Sequence, residues 1–113
     1  VLSMDYNFLA NQNGGKTSAS KEKCQQIEDD TYSAYMNALK AVNGGNRAPL
    51  ILGNHMNDWV CGAYTKALSR FIEDSHEREP NVRFISTLDL VNWMDAQDPT
   101  VLAGLQKLNA PKQ

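Results

Sequence analysis

Two long stretches of helical periodicity, separated by a short run of consecutive apolar residues, constrain the fold of this chain more than any other feature. Apolar side chains recur every three or four residues across 24–42 and again across 60–72, which is the pattern of amphipathic helices with one buried stripe. Between them, residues 50–52 are all apolar and lie between Pro49 and Gly53. Such a run is typical of a strand covered on both faces. The chain therefore alternates long helices with short strands.

Shorter patterns extend this alternation. Residues 1–6 predict an opening strand, 82–85 predict a third strand, and 88–96 predict a helix with a capping box at its start. Pro99 opens one more helical turn or two. Strands joined by connections of helical length pair in parallel through right-handed crossovers. We therefore predict an α/β fold of three parallel strands alternating with helices, in one partial domain that covers 1–113.

Composition narrows the possible partners. With 113 residues, 42% of them hydrophobic, the chain can form one small core. Its formal net charge is -2 and its basic residues are scattered, so nucleic acid is a poor candidate for a partner. No apolar stretch is long enough to predict a membrane span. The chain begins at Val1 without a leader, which favours a processed, trimmed or fragmentary chain, and three parallel strands would leave both outer edges unpaired.

The two cysteines, Cys24 and Cys61, leave two interpretations open. They lack the Cys-x-x-Cys spacing of a zinc or redox site. One interpretation is a single disulfide in an exported protein. The other, which we favour from the sequence, is two small apolar residues on helix faces, because both fall on apolar stripes.

The strongest candidates for chemistry lie where two predicted strands end. His55 follows the 49–53 strand, and Asp5 lies near the end of the 1–6 strand. Neighbouring parallel strands bring their carboxyl ends to the same edge, so Asp5 and His55 are expected to meet. A carboxylate would orient the imidazole as a general acid or base. The alternatives are a structural His55 that hydrogen-bonds a loop and an Asp5 that only caps the loop after it.

Other side chains are weaker candidates. Trp59 could stack on a substrate or anchor the second helix, and Asp58 is more simply that helix's cap. His76 lies in a charged helix terminus and is expected at the surface, whereas Trp93 and Met94 are expected in the core. The sequence contains no His-x-x-x-His pair for a metal and no Gly-x-Ser-x-Gly elbow for a nucleophile.

Three segments together resemble the carboxyl-terminal half of polysaccharide deacetylases, the NodB-type carbohydrate esterases. They are SMDYNF at 3–8, NRAPLILGNH at 46–55, and VRFIS at 82–86 with WM at 93–94. The resemblance covers nearly the whole chain in the family's order, but only the later half of that family's distorted (β/α) barrel. The chain departs from the family's pattern at Gly53, where leucine is usual, and at Tyr6, where tryptophan is usual.

The resemblance implies a function for the strand-end pair. It assigns His55 as the general acid that protonates the leaving group, Asp5 as the carboxylate that tunes it, and Tyr6, Asn57 and Trp59 as substrate-lining residues. It implies a divalent metal, usually zinc, held by ligands from an amino-terminal half that this chain lacks, so the chain is expected to be inactive alone. It also implies a polysaccharide substrate and a secreted or cell-envelope location. The alternative is a non-catalytic interaction or carbohydrate-binding module that pairs its exposed strand edges with another chain.

Overall fold

The computed structural model describes residues 2–108. The described chain is mostly helical, with five helices and two strands of three residues each. The elements in chain order are β1 (Leu2–Met4), α1 (Asp5–Asn13), α2 (Lys21–Asn43), β2 (Ile51–Gly53), α3 (Trp59–Arg78), α4 (Thr87–Ala96) and α5 (Pro99–Gln106).

The predicted α/β fold of three parallel strands is wrong. β1 and β2 do pair in parallel, with Met4 opposite Gly53, but residues 82–86 form no strand. Val82 packs against the core through its side chain, and the Phe84 ring lies 6.4 Å from that of Phe71, edge to face. Side-chain packing therefore attaches this segment without a backbone ladder. The described fold is not part of a barrel.

The second strand is also less covered than its sequence predicts. Leu50 and Leu52 pack against buried residues of α2 and α3, but Ile51 between them is 50% exposed. A run of three apolar residues predicted burial on both faces, whereas the helices cover only one face. Burial of the second face depends on the tertiary structure, because a two-stranded sheet is covered on both faces only if other elements pack against each face.

The two long helices form as predicted and make the core. Ser20 caps the start of helix α2, and its hydroxyl accepts the Lys23 backbone N–H at 3.2 Å. Helix α3 ends at Arg78, shortly before Pro80. Their apolar stripes face each other in two clusters of buried residues. The first cluster contains Leu9, Cys24, Ile27, Val60, Ala63 and Tyr64; the second contains Tyr35, Met36, Leu39, Val42, Ala67 and Phe71.

A short helix, α1, begins at Asp5, inside the segment 1–6 that the sequence predicted as a strand. Leu9 in this helix is buried in the first cluster, and Phe8 packs against both clusters. The Phe8 ring is 5.7 Å from that of Tyr35 and 6.3 Å from that of Tyr64. Helix α1 has nine residues, about two and a half turns. So short a stretch carries too little periodicity to identify a helix, so burial of these two side chains decided it.

Cys24 and Cys61 form a disulfide between α2 and the first turn of α3. The interpretation favoured from the sequence, two unbonded apolar cysteines, is therefore wrong. Both cysteines do lie at the helix interface, as the apolar stripes predicted, but Cys61 is exposed while Cys24 is 5% exposed. Their Cα atoms are 5.9 Å apart, a separation that no sequence pattern measures.

Helices α4 and α5 form at their predicted positions but bury no residue. The Ser86 hydroxyl accepts the Asp89 N–H at 3.1 Å, and the Asp98 carboxylate accepts the Thr100 N–H at 2.8 Å. The prediction that Trp93 and Met94 lie in the core is wrong, since they are 48% and 43% exposed. None of the helices between residues 2 and 108 combines the length and apolar character needed to cross a membrane.

Candidate functional site

The two short strands bring Asp5 and His55 together. Both strands run in the same direction and end in register, so Asp5, the first residue of α1, follows Met4 at the edge where His55 follows β2. This is the meeting of strand ends that the sequence predicted. It needs only the two strands that form and does not depend on the third.

The contact between the two residues involves both carboxylate oxygens. The His55 Nδ1 atom is 2.6 Å from Asp5 Oδ1, and the His55 backbone N–H donates to Asp5 Oδ2 at 2.8 Å. The Tyr6 backbone N–H also donates to Oδ1, at 2.8 Å. Asp5 is 1% exposed, while half of the His55 side chain is exposed. A buried carboxylate thus holds the ring and the backbone of a histidine that solvent can reach.

This geometry fixes how the imidazole presents its protons. An ionised carboxylate only accepts hydrogen bonds, so Nδ1 carries the hydrogen that lies between the ring and Asp5. The second ring nitrogen, Nε2, is then the ring atom that Asp5 does not hold. A carboxylate that fixes the tautomer and orientation of a histidine is a recurring arrangement in general acid–base catalysis.

The Asp5 charge affects the pKa of two buried tyrosines, Tyr35 and Tyr64. Burial and, to a smaller extent, the Asp5 carboxylate together raise the pKa of Tyr35 to about 12. Burial and then Asp5 likewise raise the pKa of Tyr64 to about 12. Both phenols are therefore neutral at physiological pH. The Tyr64 hydroxyl donates to Gln12 Oε1 at 2.9 Å, which ties α3 to α1 beside the carboxylate.

Asn54 shapes the turn that carries His55, and sequence reasoning missed it. Its Oδ1 atom accepts the Met56 N–H at 2.7 Å, and Met56 has a left-handed backbone, with φ of 57°. An asparagine that bonds the N–H two residues on closes an Asx turn. The signal was available, because the Gly53-Asn54 pair follows a strand. The Nδ2 group of Asn54 is buried and has no hydrogen-bond partner among residues 2–108.

The other residues considered from the sequence differ in how they lie relative to Asp5 and His55. The Trp59 ring lies 5.7 Å from the His55 ring and also packs against the first core cluster, so both interpretations of this side chain fit its position. Tyr6 and Asn57 are exposed. Asp58 occupies the residue before α3, as predicted, but its side chain makes no capping hydrogen bond. His76 is exposed in the last turn of α3, also as predicted.

The described residues do not fit a metal centre. Between residues 2 and 108, no three His, Cys, Asp or Glu side chains are grouped closely enough to hold a metal ion. Asp5 and His55 supply two possible ligand atoms, but they bond each other. Comparison of the chain with protein-family models, curated proteins and solved structures finds no match.

Proposed function

We propose that this chain supplies the general acid of a metal-dependent polysaccharide deacetylase, as the carboxyl-terminal part of that enzyme. The supporting observation is the hydrogen-bonded pair of buried Asp5 and half-exposed His55. In this function Asp5 holds Nδ1, and Nε2 gives its proton to the amine or alcohol that leaves when an N-acetyl or O-acetyl group is hydrolysed.

The surroundings of the pair are consistent with a sugar substrate. Trp59 offers an aromatic face beside His55. Tyr6, the residue after Asp5, is exposed, and exposed Asn57 offers an amide for hydroxyl groups. In this proposal the base and the divalent metal, usually zinc in such enzymes, come from residues outside this chain. The proposed location is outside the cytoplasm or in the cell envelope.

The test is acetate release from oligomers of N-acetylglucosamine in the presence of zinc. The chain alone should release none, whereas the chain joined to the metal-binding amino-terminal half of a deacetylase should be active. His55→Gln should then lower kcat by about 10²- to 10⁴-fold, the usual contribution of a positioned proton donor. His76→Gln, which changes the other histidine, should leave the rate unchanged. Robust activity of the chain alone, or a joined enzyme indifferent to His55→Gln, would exclude the proposal.

A second candidate is a non-catalytic module that pairs its strand edges with a second copy of the chain. The supporting observation is the small size of the sheet, since Ile51 is half exposed and β2 has three residues. A two-stranded sheet has two edges that a further strand can extend. Sedimentation should show a dimer that Ile51→Lys dissociates, because a charge blunts a strand edge. A monomer at every concentration would exclude this candidate.

A further inference from the structure

The three residues after Trp59 have an unusual backbone. Val60, Cys61 and Gly62 all lie in the left-handed region, with φ of 46°, 64° and 72°. Glycine adopts this conformation readily, but a β-branched residue such as valine rarely does. The right-handed part of α3 begins only after them. This segment, 60–62, must therefore be held in place by contacts with the rest of the molecule.

Besides the local hydrogen bond from the Gly62 N–H to the Asp58 carbonyl oxygen at 3.1 Å, three contacts tie segment 60–62 to parts of the molecule that are distant in sequence. The Val60 side chain is fully buried in the first core cluster. The Val60 backbone N–H donates to the Thr17 carbonyl oxygen at 2.8 Å. Cys61 is bonded to Cys24 on α2. Of these contacts only the disulfide can be opened and closed by chemistry.

The segment is connected directly to the candidate site. Trp59 precedes it in the chain, and the Trp59 ring is 5.7 Å from the ring of His55. If residues 60–62 returned to the right-handed conformation, the chain before them would turn relative to α3. Trp59 would then leave its position beside His55, which Asp5 at the start of α1 holds in place.

The disulfide is open to a reductant. Cys61 is exposed, and a surface cavity of about 110 Å³ is lined by both cysteines. Lys21 and Lys66 also line this cavity. Nearby ammonium groups stabilise a thiolate, which is both the attacking and the leaving species in thiol–disulfide exchange.

We propose that the Cys24–Cys61 disulfide is a redox-sensitive clamp that sets the position of Trp59 against His55. A dithiol reductant attacks the Cys61 sulfur as a thiolate, which forms a mixed disulfide and releases Cys24 as a thiolate that takes up a proton. The second thiol of the reductant then displaces Cys61 as a thiol. Two electrons and two protons pass to the protein, and the reductant becomes a disulfide. The effect of the disulfide on the position of Trp59 is independent of the proposed function. Only an effect of reduction on deacetylation rests on that function.

The test is NMR spectroscopy of the His55 ring protons in a His76→Gln background, with and without dithiothreitol. Reduction should shift these resonances, because the nearby Trp59 ring current is lost. The methyl resonances of the second core cluster and the far-ultraviolet circular dichroism should stay unchanged. Unmoved His55 resonances in the reduced protein would overturn the clamp. Global unfolding on reduction would overturn it as well, since the disulfide would then be a staple of the whole fold.

Two matched variants separate the disulfide from the backbone conformation. Cys24→Ser with Cys61→Ser should give the reduced spectrum, with or without dithiothreitol. Cys24→Ser with Cys61→Gly should keep the oxidised positions of the His55 resonances, because glycine adopts the left-handed backbone without a side-chain clash. If the serine pair does not fold, the reduced wild type and the glycine variant decide. A glycine variant with the reduced spectrum would overturn the backbone mechanism.

An activity measurement then separates this inference from the proposed function. In the joined deacetylase, reduction should lower kcat by on the order of 100-fold, as expected when a residue that positions the substrate is displaced. If His55→Gln has no effect there, the proposed function fails, whereas the NMR result still decides the clamp. If His55→Gln inactivates the enzyme but reduction moves neither the rate nor the resonances, the clamp alone fails.

Discussion

Helices α1–α3, which we call the packed region, differ sharply from α4 and α5, the terminal pair. In the packed region the helices bury twelve hydrophobic residues in two clusters and are joined by a disulfide. The terminal pair buries none, although it is rich in large apolar side chains. The exposed large apolar side chains in and next to these two helices, between residues 84 and 108, are Phe84, Ile85, Leu88, Val91, Trp93, Met94, Val101 and Leu108.

This difference separates two ways of specifying a helix. The packed region relies on tertiary burial, which usually provides most of the stability of a helix in a protein. The terminal pair is bounded by local signals, the caps at Ser86 and Asp98. The Thr100 hydrogen bonds lower the pKa of the Asp98 carboxyl, as expected when they favour its charged form. The local signals therefore predicted the positions of α4 and α5 correctly, but these helices bury no residue.

The largest test of the comparison is a pair of aromatic truncations. Phe71→Ala removes a ring that is 2% exposed in the second cluster, and it should lower the free energy of unfolding by about 3–5 kcal/mol. Trp93→Ala removes a larger but half-exposed ring, and its effect should stay within about 0.5 kcal/mol. Urea denaturation measures both. Equal losses would show that the terminal pair packs as firmly as the core.

Alkaline pH should weaken the packed region through its buried tyrosines. The pKa of Tyr35 and of Tyr64 is about 12 in the folded chain against 10.0 for the ordinary side chain, so the unfolded state loses its protons first as pH rises. The free energy of unfolding should therefore fall between pH 10 and pH 12, by about 1–3 kcal/mol for each tyrosine.

Substitutions assign this alkaline loss. Tyr64→Phe should flatten the dependence of the unfolding free energy on pH, measured by urea denaturation from pH 9 to pH 12. Tyr6→Phe is the matched control, since Tyr6 is 60% exposed, and it should leave the dependence unchanged. A curve that Tyr64→Phe does not alter would place the alkaline transition elsewhere in the chain.

The smallest expected effects come from the helix caps. Ser20→Ala removes the cap of α2 and should lower the free energy of global unfolding by about 1 kcal/mol. Ser86→Ala removes a matching cap from α4, and it should leave global unfolding unchanged while α4 frays. Amide hydrogen exchange distinguishes the two outcomes. Slower exchange in α4 than in α3 would contradict the comparison.

The candidate site shows how much of the structure could be anticipated. The meeting of Asp5 and His55 followed from two strand ends in parallel, because strand direction alone places them at one edge. The Asx turn at Asn54 was not predicted from the sequence. Neither was the left-handed segment 60–62, although that segment contains Gly62. Left-handed valine and cysteine have no sequence signature, since contacts from elsewhere must force them.

The sequence by itself determined α2 and α3, the bounds of the terminal pair and the pairing of Asp5 with His55, because these depend on periodicity, caps and chain direction. Only the tertiary structure decided that residues 82–86 form no strand, that residues 5–13 form a helix and that Cys24 bonds Cys61. Each of those outcomes depends on which surfaces meet across many residues. An apolar residue in a sequence records the capacity for burial, and Trp93 remains half exposed because nothing in the described chain covers it.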